Sequence, residues 1–105
     1  MAANNEEILS HVEALGGGYV WEPEIFAVTL MKVPVTDTQV AGLQDLRGVQ
    51  QIALNASNLS FAAVEAIARI PALASLVLSG STFSTEQVAK LQLICPEVLL
   101  VAAAA

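Results

Sequence analysis

A pattern of apolar positions recurs three times along this chain at one constant spacing. The triplet Val28-Thr29-Leu30 has large aliphatic side chains at its first and last positions, and the same two positions are aliphatic in Ile52-Ala53-Leu54 and Leu76-Val77-Leu78. Four further apolar positions repeat at the same offset, as Val35/Leu59/Phe83, Val40/Val64/Val88, Leu43/Ile67/Leu91 and Leu46/Ile70/Ile94. A period of about 20–50 residues indicates stacked repeats, because each unit can bury its apolar face only against its neighbours.

Each repeat predicts a short strand followed by a helix. The strands are expected near 28–30, 52–54 and 76–78, and the helices near 37–46, 61–69 and 85–94. Two helix starts match the capping box, in which a hydroxyl stands at the N-cap and Gln follows three residues later: Thr36 with Gln39, and Ser84 with Gln87. Ser60 holds the N-cap place in the middle repeat, but Ala63 stands where the Gln would be.

The residues before the first repeat predict an N-terminal cap. Residues 5–15 form a helical pattern in which Ile8, Val12 and Leu15 share one face, with Asn4 or Asn5 as the N-cap. Residues 19–21 are a short β-type segment, and Glu22-Pro23-Glu24 is a turn. We therefore predict one domain over residues 1–105, composed of a cap (4–24), repeats 25–48, 49–72 and 73–97, and a terminal strand at 98–101. In each repeat an apolar residue precedes the strand and points inward: Ile25, Val49 and Leu73.

The alternation of strand and helix also describes a small doubly wound α/β sheet. Such a fold does not need the same type of side chain at the same offset in every unit. The repeat period therefore favours stacked coils over the doubly wound alternative.

The repeats resemble leucine-rich repeats over residues 25–101. The family pattern L-x-x-L-x-L-x-x-N-x-L is matched from Val49 to Leu59, from Leu73 to Phe83 and, in the first copy, from Ile25 to Val35. The family's Asn is replaced by Ser57, Ser81 and Val33, so the first turn is expected to be the least regular. A leading helix that ends in Gly-Gly is similar to short bacterial leucine-rich repeat proteins. The resemblance implies an α/β right-handed solenoid with a parallel sheet on the concave side, helices on the convex side and a protein-binding function.

Composition and charge narrow the classes of partner. The chain has 105 residues, of which 55% are apolar, so we expect one small domain with a large core. The net charge is −6, and the segment 1–25 contains five acids and no Lys or Arg. A nucleic-acid partner and an anionic membrane surface are both disfavoured, because no basic stripe is present to meet phosphates. The longest apolar run, 98–105, is far shorter than a membrane span. No signal-peptide pattern is present, and one cysteine suits a reducing compartment, so a cytoplasmic location is expected.

The titratable residues give little support to an enzyme. His11 and Cys95, each the sole residue of its type, lie near opposite ends of the chain, so the spacing of a metal site is missing. Gly16-Gly17-Gly18 lacks the spacing of a phosphate-binding loop. We expect no catalytic residue, no metal and no cofactor.

The strand positions that do not point inward form the candidate protein-binding site. They should align across the repeats in three rows: Thr29/Ala53/Val77, Met31/Asn55/Ser79 and Ala27/Gln51/Ser75. Their small, uncharged side chains would let another protein dock without burying unpaired charge. The alternative interpretation is that this face has no binding role. The candidate binding residues are Thr29, Met31, Gln51, Ala53, Asn55, Ser75, Val77 and Ser79.

Two further hypotheses stay open. The uncharged terminal strand Val98-Leu99-Leu100-Val101 would leave an unprotected edge, and such an edge can pair with a second copy, giving a self-associating structural protein, or with another protein. A frayed tail is the alternative there. The other hypothesis is a small regulatory α/β domain in which Ser60 or Ser84 is phosphorylated at a helix N-cap.

Overall fold

A computed structural model describes residues 5–32, 34–80 and 83–101 of the chain. Some of the predictions fall on residues outside these ranges, namely Asn4, Val33, Ser81 and the terminal alanines. The elements, in chain order, are α1 (Asn5–Ala14), β1 (Gly18–Trp21), β2 (Phe26–Leu30), α2 (Asp37–Val40), a 3₁₀ helix (Ala41–Asp45), β3 (Gln51–Asn55), α3 (Phe61–Ala68), β4 (Ser75–Ser79), α4 (Thr85–Ile94) and β5 (Glu97–Val101).

The five strands form one open α/β sheet in the order β1-β2-β3-β4-β5. The pairs β2–β3, β3–β4 and β4–β5 are parallel, and β1 pairs antiparallel with β2. Leu30 lies beside Leu54, and Leu54 lies beside Leu78, on neighbouring parallel strands. The predicted register of these three leucines is therefore confirmed.

The helices cover one face of this sheet. The strand residues that point to that face are Val28, Leu30, Ile52, Leu54, Leu76 and Leu78, and each is at most 2% exposed. They join apolar residues of all four α-helices and of the 3₁₀ helix in one buried cluster. Burial of apolar surface in that cluster is the main force that holds the units together.

The predicted helix over 37–46 is interrupted. Thr36 and Gln39 form the predicted capping box, and α2 continues only to Val40 before the chain tightens into the 3₁₀ helix. This segment contains Gly42, whose backbone loses more freedom in a helix than other residues do. By contrast, α4 begins with the predicted capping box at Ser84 and runs without a break to Ile94.

The segment predicted near residues 19–21 is β1, and it forms a hairpin with β2. Trp21 lies beside Phe26, with ring centroids 5.5 Å apart in a stacked arrangement. Glu22 and Ile25 exchange backbone hydrogen bonds across the turn, at 2.8 and 3.3 Å. The prediction that Ile25 points inward is wrong, because this turn leaves its side chain 53% exposed. Phe26 is buried in its place.

The last unit is shorter than the repeat predicts. The terminal strand begins at Glu97, and Val98 pairs with Leu76, whereas a third repeat over 73–97 would bring Val101 to that place. The terminal strand predicted at 98–101 is therefore present as β5, which begins one residue earlier, and its register differs from that of the preceding units. Cys95, which is fully buried, occupies the position that Val49 and Leu73 hold in the earlier units. Pro96 has no amide to donate, and Glu97 N instead donates to the Ala74 carbonyl at 3.0 Å.

Candidate protein-binding face

The face of the sheet opposite the helices, called the open face below, contains the predicted site. Strand register places Thr29 beside Ala53 and Ala53 beside Val77, and it places Ala27, Gln51 and Ser75 in a second row. Two of the three predicted rows are therefore confirmed. The third row is only partly present, because Asn55 pairs with Ser79 but β2 ends at Leu30, before Met31.

Met31 lies apart from the other candidate residues. It is half-buried and lines a cavity of about 170 Å³ together with Lys32, Thr29 and the glycines Gly16–Gly18. Gly17 allows the glycine segment to lie close to β2, since a side chain at position 17 would collide with Leu30 and with the Thr29 carbonyl. The structure thus assigns Met31 to the edge of the N-terminal cap.

The remaining candidates differ in exposure. Thr29 and Gln51 are exposed, whereas Ala53, Asn55 and Ser75 are half-buried. Val77 and Ser79 are buried, at 9% and 7% exposed. The Ser79 hydroxyl donates to the Leu54 carbonyl at 3.5 Å, so this side chain faces the neighbouring strand. The accessible candidates on the open face are therefore Thr29, Gln51 and Ala53. Val77 and Ser79 expose little surface that a partner could contact.

Asn55 has a structural partner in the turn that follows β3. Its Oδ1 accepts hydrogen bonds from the Ser57 amide at 3.2 Å and from the Ser57 hydroxyl at 2.7 Å. Such a bond from a side chain to the backbone two residues later stabilises an Asx turn. The repeat pattern assigns turn closure to Ser57 alone, and the structure shows that Asn55 shares it.

A groove crosses the open face at its β1 end. It has a volume of about 430 Å³, and its open-face floor is formed by small side chains of β2 and β3, including Ala27 and Ala53. Val20 forms its wall and is 46% exposed, and Tyr19, which is 40% exposed, also lines the groove although it pairs with Val28 of the helix side. Val20 pairs with Ala27, which extends the open face onto β1. Periodicity does not indicate Tyr19 and Val20 as part of the site, because so short a strand before the first repeat carries no repeat signal.

The other end of the open face lies on β5, for which the sequence pattern predicts only an edge. Glu97 pairs with Ser75, and the Ser75 hydroxyl donates to Glu97 Oε1 at 2.9 Å. Leu99 and Val101 pair with Val77 and Ser79 and are 47% and 46% exposed. Among the described strand residues of the open face, Glu97 is the one charged side chain. The face is otherwise uncharged and apolar toward β5.

The predicted edge residues fall into two groups. Val98 points to the helix side and is buried, with 8% exposure, so it belongs to the core. Leu99, Leu100 and Val101 are each close to half exposed. Consecutive exposed apolar residues on an outer strand are unusual for a sheet edge that faces water.

His11 and Cys95 lie away from the open face. His11 is exposed on α1 and lines a mainly apolar cavity of about 220 Å³ between α1 and the 3₁₀ helix. Cys95 is buried, and desolvation raises the pKa of its thiol. Within the described residues no group of three or more His, Cys, Asp or Glu side chains is arranged to hold a metal ion. None of the helices in the described ranges has the length and apolar character needed to cross a membrane.

Comparison with known proteins returned no match to a protein-family model, to a curated protein or to a solved structure.

Proposed function

We propose that this chain is a non-catalytic module of the leucine-rich repeat type that binds another protein on the open face of its sheet. In this proposal the units form a right-handed solenoid with the open face on the concave side and the helices on the convex side. The shared register of β2, β3 and β4 and the recurring N-caps at Thr36, Ser60 and Ser84 support it. The buried, unpaired Cys95 is consistent with a cytoplasmic protein.

The observation that carries the binding proposal is the composition of the uncovered face. Every described helix packs on the other side, and yet the open face keeps aligned rows of small, uncharged side chains with a groove of about 430 Å³ at one end. A partner backbone can approach such a floor closely, and the exposed Thr29 hydroxyl and Gln51 amide can meet its polar groups. Little charge has to be desolvated when this face is covered.

The charge of the chain indicates the chemistry of the partner. The net charge is −6, and a second surface depression next to the groove end of the sheet contains Trp21 and two acids, Glu22 and Glu24, against one cation, Arg47. We propose an extended, uncharged protein segment flanked by basic residues. Its neutral part would lie along Ala27, Thr29 and Ala53, and its basic flank would meet the acidic N-terminal end. Complementary potentials of this kind guide association and set the orientation of a partner.

Arginine substitutions on the two sides of the sheet test the proposal. Ala53→Arg and Thr29→Arg place a long charged side chain on the open face. Leu93→Arg introduces the same side chain on α4, where Leu93 is 88% exposed. Asn55 and Val77 are unsuitable sites because the first holds a turn and the second is buried.

Cross-linked capture from the cells that produce the protein would be compared for these variants, each first shown to fold by circular dichroism. We expect the wild type and Leu93→Arg to retain the same partner, and Ala53→Arg and Thr29→Arg to lose at least tenfold of it. Equal retention by all four proteins, or no retained protein with the wild type, would refute binding on the open face.

A further inference from the structure

The outer edge of β5 has backbone groups that can form hydrogen bonds with another strand. The Glu97 amide donates toward β4, to the Ala74 carbonyl at 3.0 Å. Because peptide groups alternate sides along a strand, Leu99 and Val101 also turn their backbone groups toward β4. The amides and carbonyls of Val98 and Leu100 therefore point away from the sheet. Within the described part of the chain, no element covers this edge, and it has no Lys, Pro or bulge to discourage pairing.

We propose that two copies of this chain associate through β5, as antiparallel strands related by a two-fold axis at Leu99. This inference does not depend on what the open face binds. In this register Val98 of one copy lies opposite Leu100 of the other. The outward backbone groups of these residues exchange two hydrogen bonds, and the symmetry doubles the number to four.

The side chains also agree with this register. Leu99 meets its own symmetry mate on the open face, where each is now 47% exposed. Leu100, which is 50% exposed, meets Val98 of the second copy on the helix side. Glu97 lies opposite Val101 of the second copy, so the carboxylates of the two copies are not brought face to face. Each exposed apolar residue of the edge thus gains a neighbour across the interface, and at Leu99 and Leu100 that neighbour is apolar.

The charge distribution favours a second copy joined at β5 over a head-to-tail chain of copies. Half of the acids lie in the segment 1–25, at the β1 end of the sheet. Pairing β5 with β5 puts the two acidic ends at opposite sides of a ten-stranded sheet, ~43 Å apart at ~4.8 Å per strand. That separation is several times the Debye length of ~8 Å at physiological salt, so their repulsion is screened. Pairing β5 with β1 would place an acidic end at every interface.

Sedimentation measures the association directly. We expect the wild type at high micromolar concentration to have about twice the monomer mass of 10.9 kDa. Leu100→Pro removes an outward amide but no hydrogen bond to β4, and we expect it to sediment as a monomer with an unchanged far-ultraviolet spectrum. A wild-type monomer, larger oligomers that grow with concentration, or a dimer that persists in Leu100→Pro would each refute the proposal.

Engineered cysteines test the register without relying on a proline. Across the two-fold axis the Leu99 Cα atoms would be ~4.5 Å apart, within the ~4.4–6.8 Å range that a disulfide needs. The Val101 Cα atoms would be ~14 Å apart, since the register sets them four positions out of line on neighbouring strands. We expect Leu99→Cys to form a covalent dimer with oxidised glutathione and the matched Val101→Cys to remain largely unlinked, while the buried Cys95 stays reduced in both. Equal yields from the two variants would refute the register. Because neither variant alters Thr29 or Ala53, failure here leaves the partner-binding test unaffected.

Discussion

Asp37 of one unit caps the helix of the next: its Oδ1 accepts a hydrogen bond from the Ser60 amide at 2.9 Å. Ser60 is the N-cap of α3, and its hydroxyl accepts from Ala63 N at 3.2 Å. In α2 and α4 the N-cap amide is instead bonded by a Gln of the same helix, Gln39 or Gln87, at 2.9 Å. Ala63 cannot supply this acceptor, and the preceding unit supplies it. The bond links successive units on the helix side.

The Asp37–Ser60 bond should make stability depend on pH. Hydrogen bonds from the backbone amide and then the side chain of Ser60 lower the pKa of Asp37 below its ordinary value of 3.8. A group with a lowered folded-state pKa stabilises the fold above its unfolded pKa and loses that contribution as pH falls through the folded value. The free-energy difference between the wild type and Asp37→Asn should be constant at neutral pH and shrink below about pH 4.

Urea unfolding of both proteins between pH 3 and pH 7 measures this difference. Asp45→Asn is the control, because it changes the net charge equally on the neighbouring 3₁₀ helix. The explanation fails if the Asp45 and Asp37 variants show the same dependence on pH.

Ala72 adopts a conformation suited to glycine. Its φ is +73°, and Gly48, at the equivalent place in the preceding unit, has a φ of +84°. A residue with a Cβ is destabilised by about 1–2 kcal/mol in the left-handed region, and glycine avoids this cost. Glycine in turn loses about 0.5–1 kcal/mol more backbone entropy on folding than alanine does. Ala72→Gly should therefore raise the free energy of unfolding by about 0.5–1 kcal/mol, as measured by urea titration.

Gly48→Ala is the reciprocal change and should lower the free energy of unfolding by a similar amount. A methyl group there would meet no atom within 4 Å, so only the backbone conformation is affected. Opposite signs for the two variants support the argument, and a destabilised Ala72→Gly protein would contradict it.

Leu54 is the centre of the buried leucine row. It is 0% exposed and lies between Leu30 and Leu78. Leu54→Ala removes its apolar burial and leaves a cavity, at a cost of about 2–5 kcal/mol. A small domain has a net stability of only about 5 kcal/mol, so the variant should be partly or wholly unfolded at about 37 °C by circular dichroism. Leu93→Ala, at a site 88% exposed, should stay within about 0.5 kcal/mol of the wild type.

Asn5 fastens the N-terminal cap to the first repeat. Its Oδ1 accepts from Arg47 N at 3.0 Å and its Nδ2 donates to the Arg47 carbonyl at 3.1 Å. The Asn5 side chain thus bonds the backbone of Arg47, whereas the sequence pattern predicts it as a cap of its own helix. Asn5→Ala should speed hydrogen exchange in α1 and lower its opening free energy by about 1 kcal/mol, with little change in β4. Ser10→Ala, an exposed change on the same helix, is the control, and equal exchange in the two variants would contradict this role.

The leucine register could be predicted because each unit repeats the same apolar side chains, so a one-residue slip would expose a buried row. The last strand could be predicted in place but not in register, because Cys95 replaces the aliphatic residue of Val49 and Leu73 and so hides the equivalence of the three positions. The pairing of β1 depends on the turn between Glu22 and Ile25 rather than on periodicity.

The rows of the open face could be predicted from the sequence, but the exposure of each residue could not. Alternation along a strand indicates which residues share a face, and it places Thr29, Ala53 and Val77 together. It does not show that Ser79 turns to the Leu54 carbonyl or that Asn55 closes a turn, since both depend on neighbouring strands and loops. The Asp37–Ser60 bond was missed because its partners belong to different units of the chain.

The central claim is that successive units, of equal length from β2 to β4, stack in one register and so build the open face. Insertion of a second copy of residues 49–72 directly after position 72 tests it most directly, through the urea unfolding of the lengthened chain. We predict a single cooperative transition at a higher urea midpoint than the parent, with the α/β circular dichroism retained, because the added unit buries its faces on both neighbours. An unfolded or aggregated product, or a midpoint below that of the parent, would contradict the account.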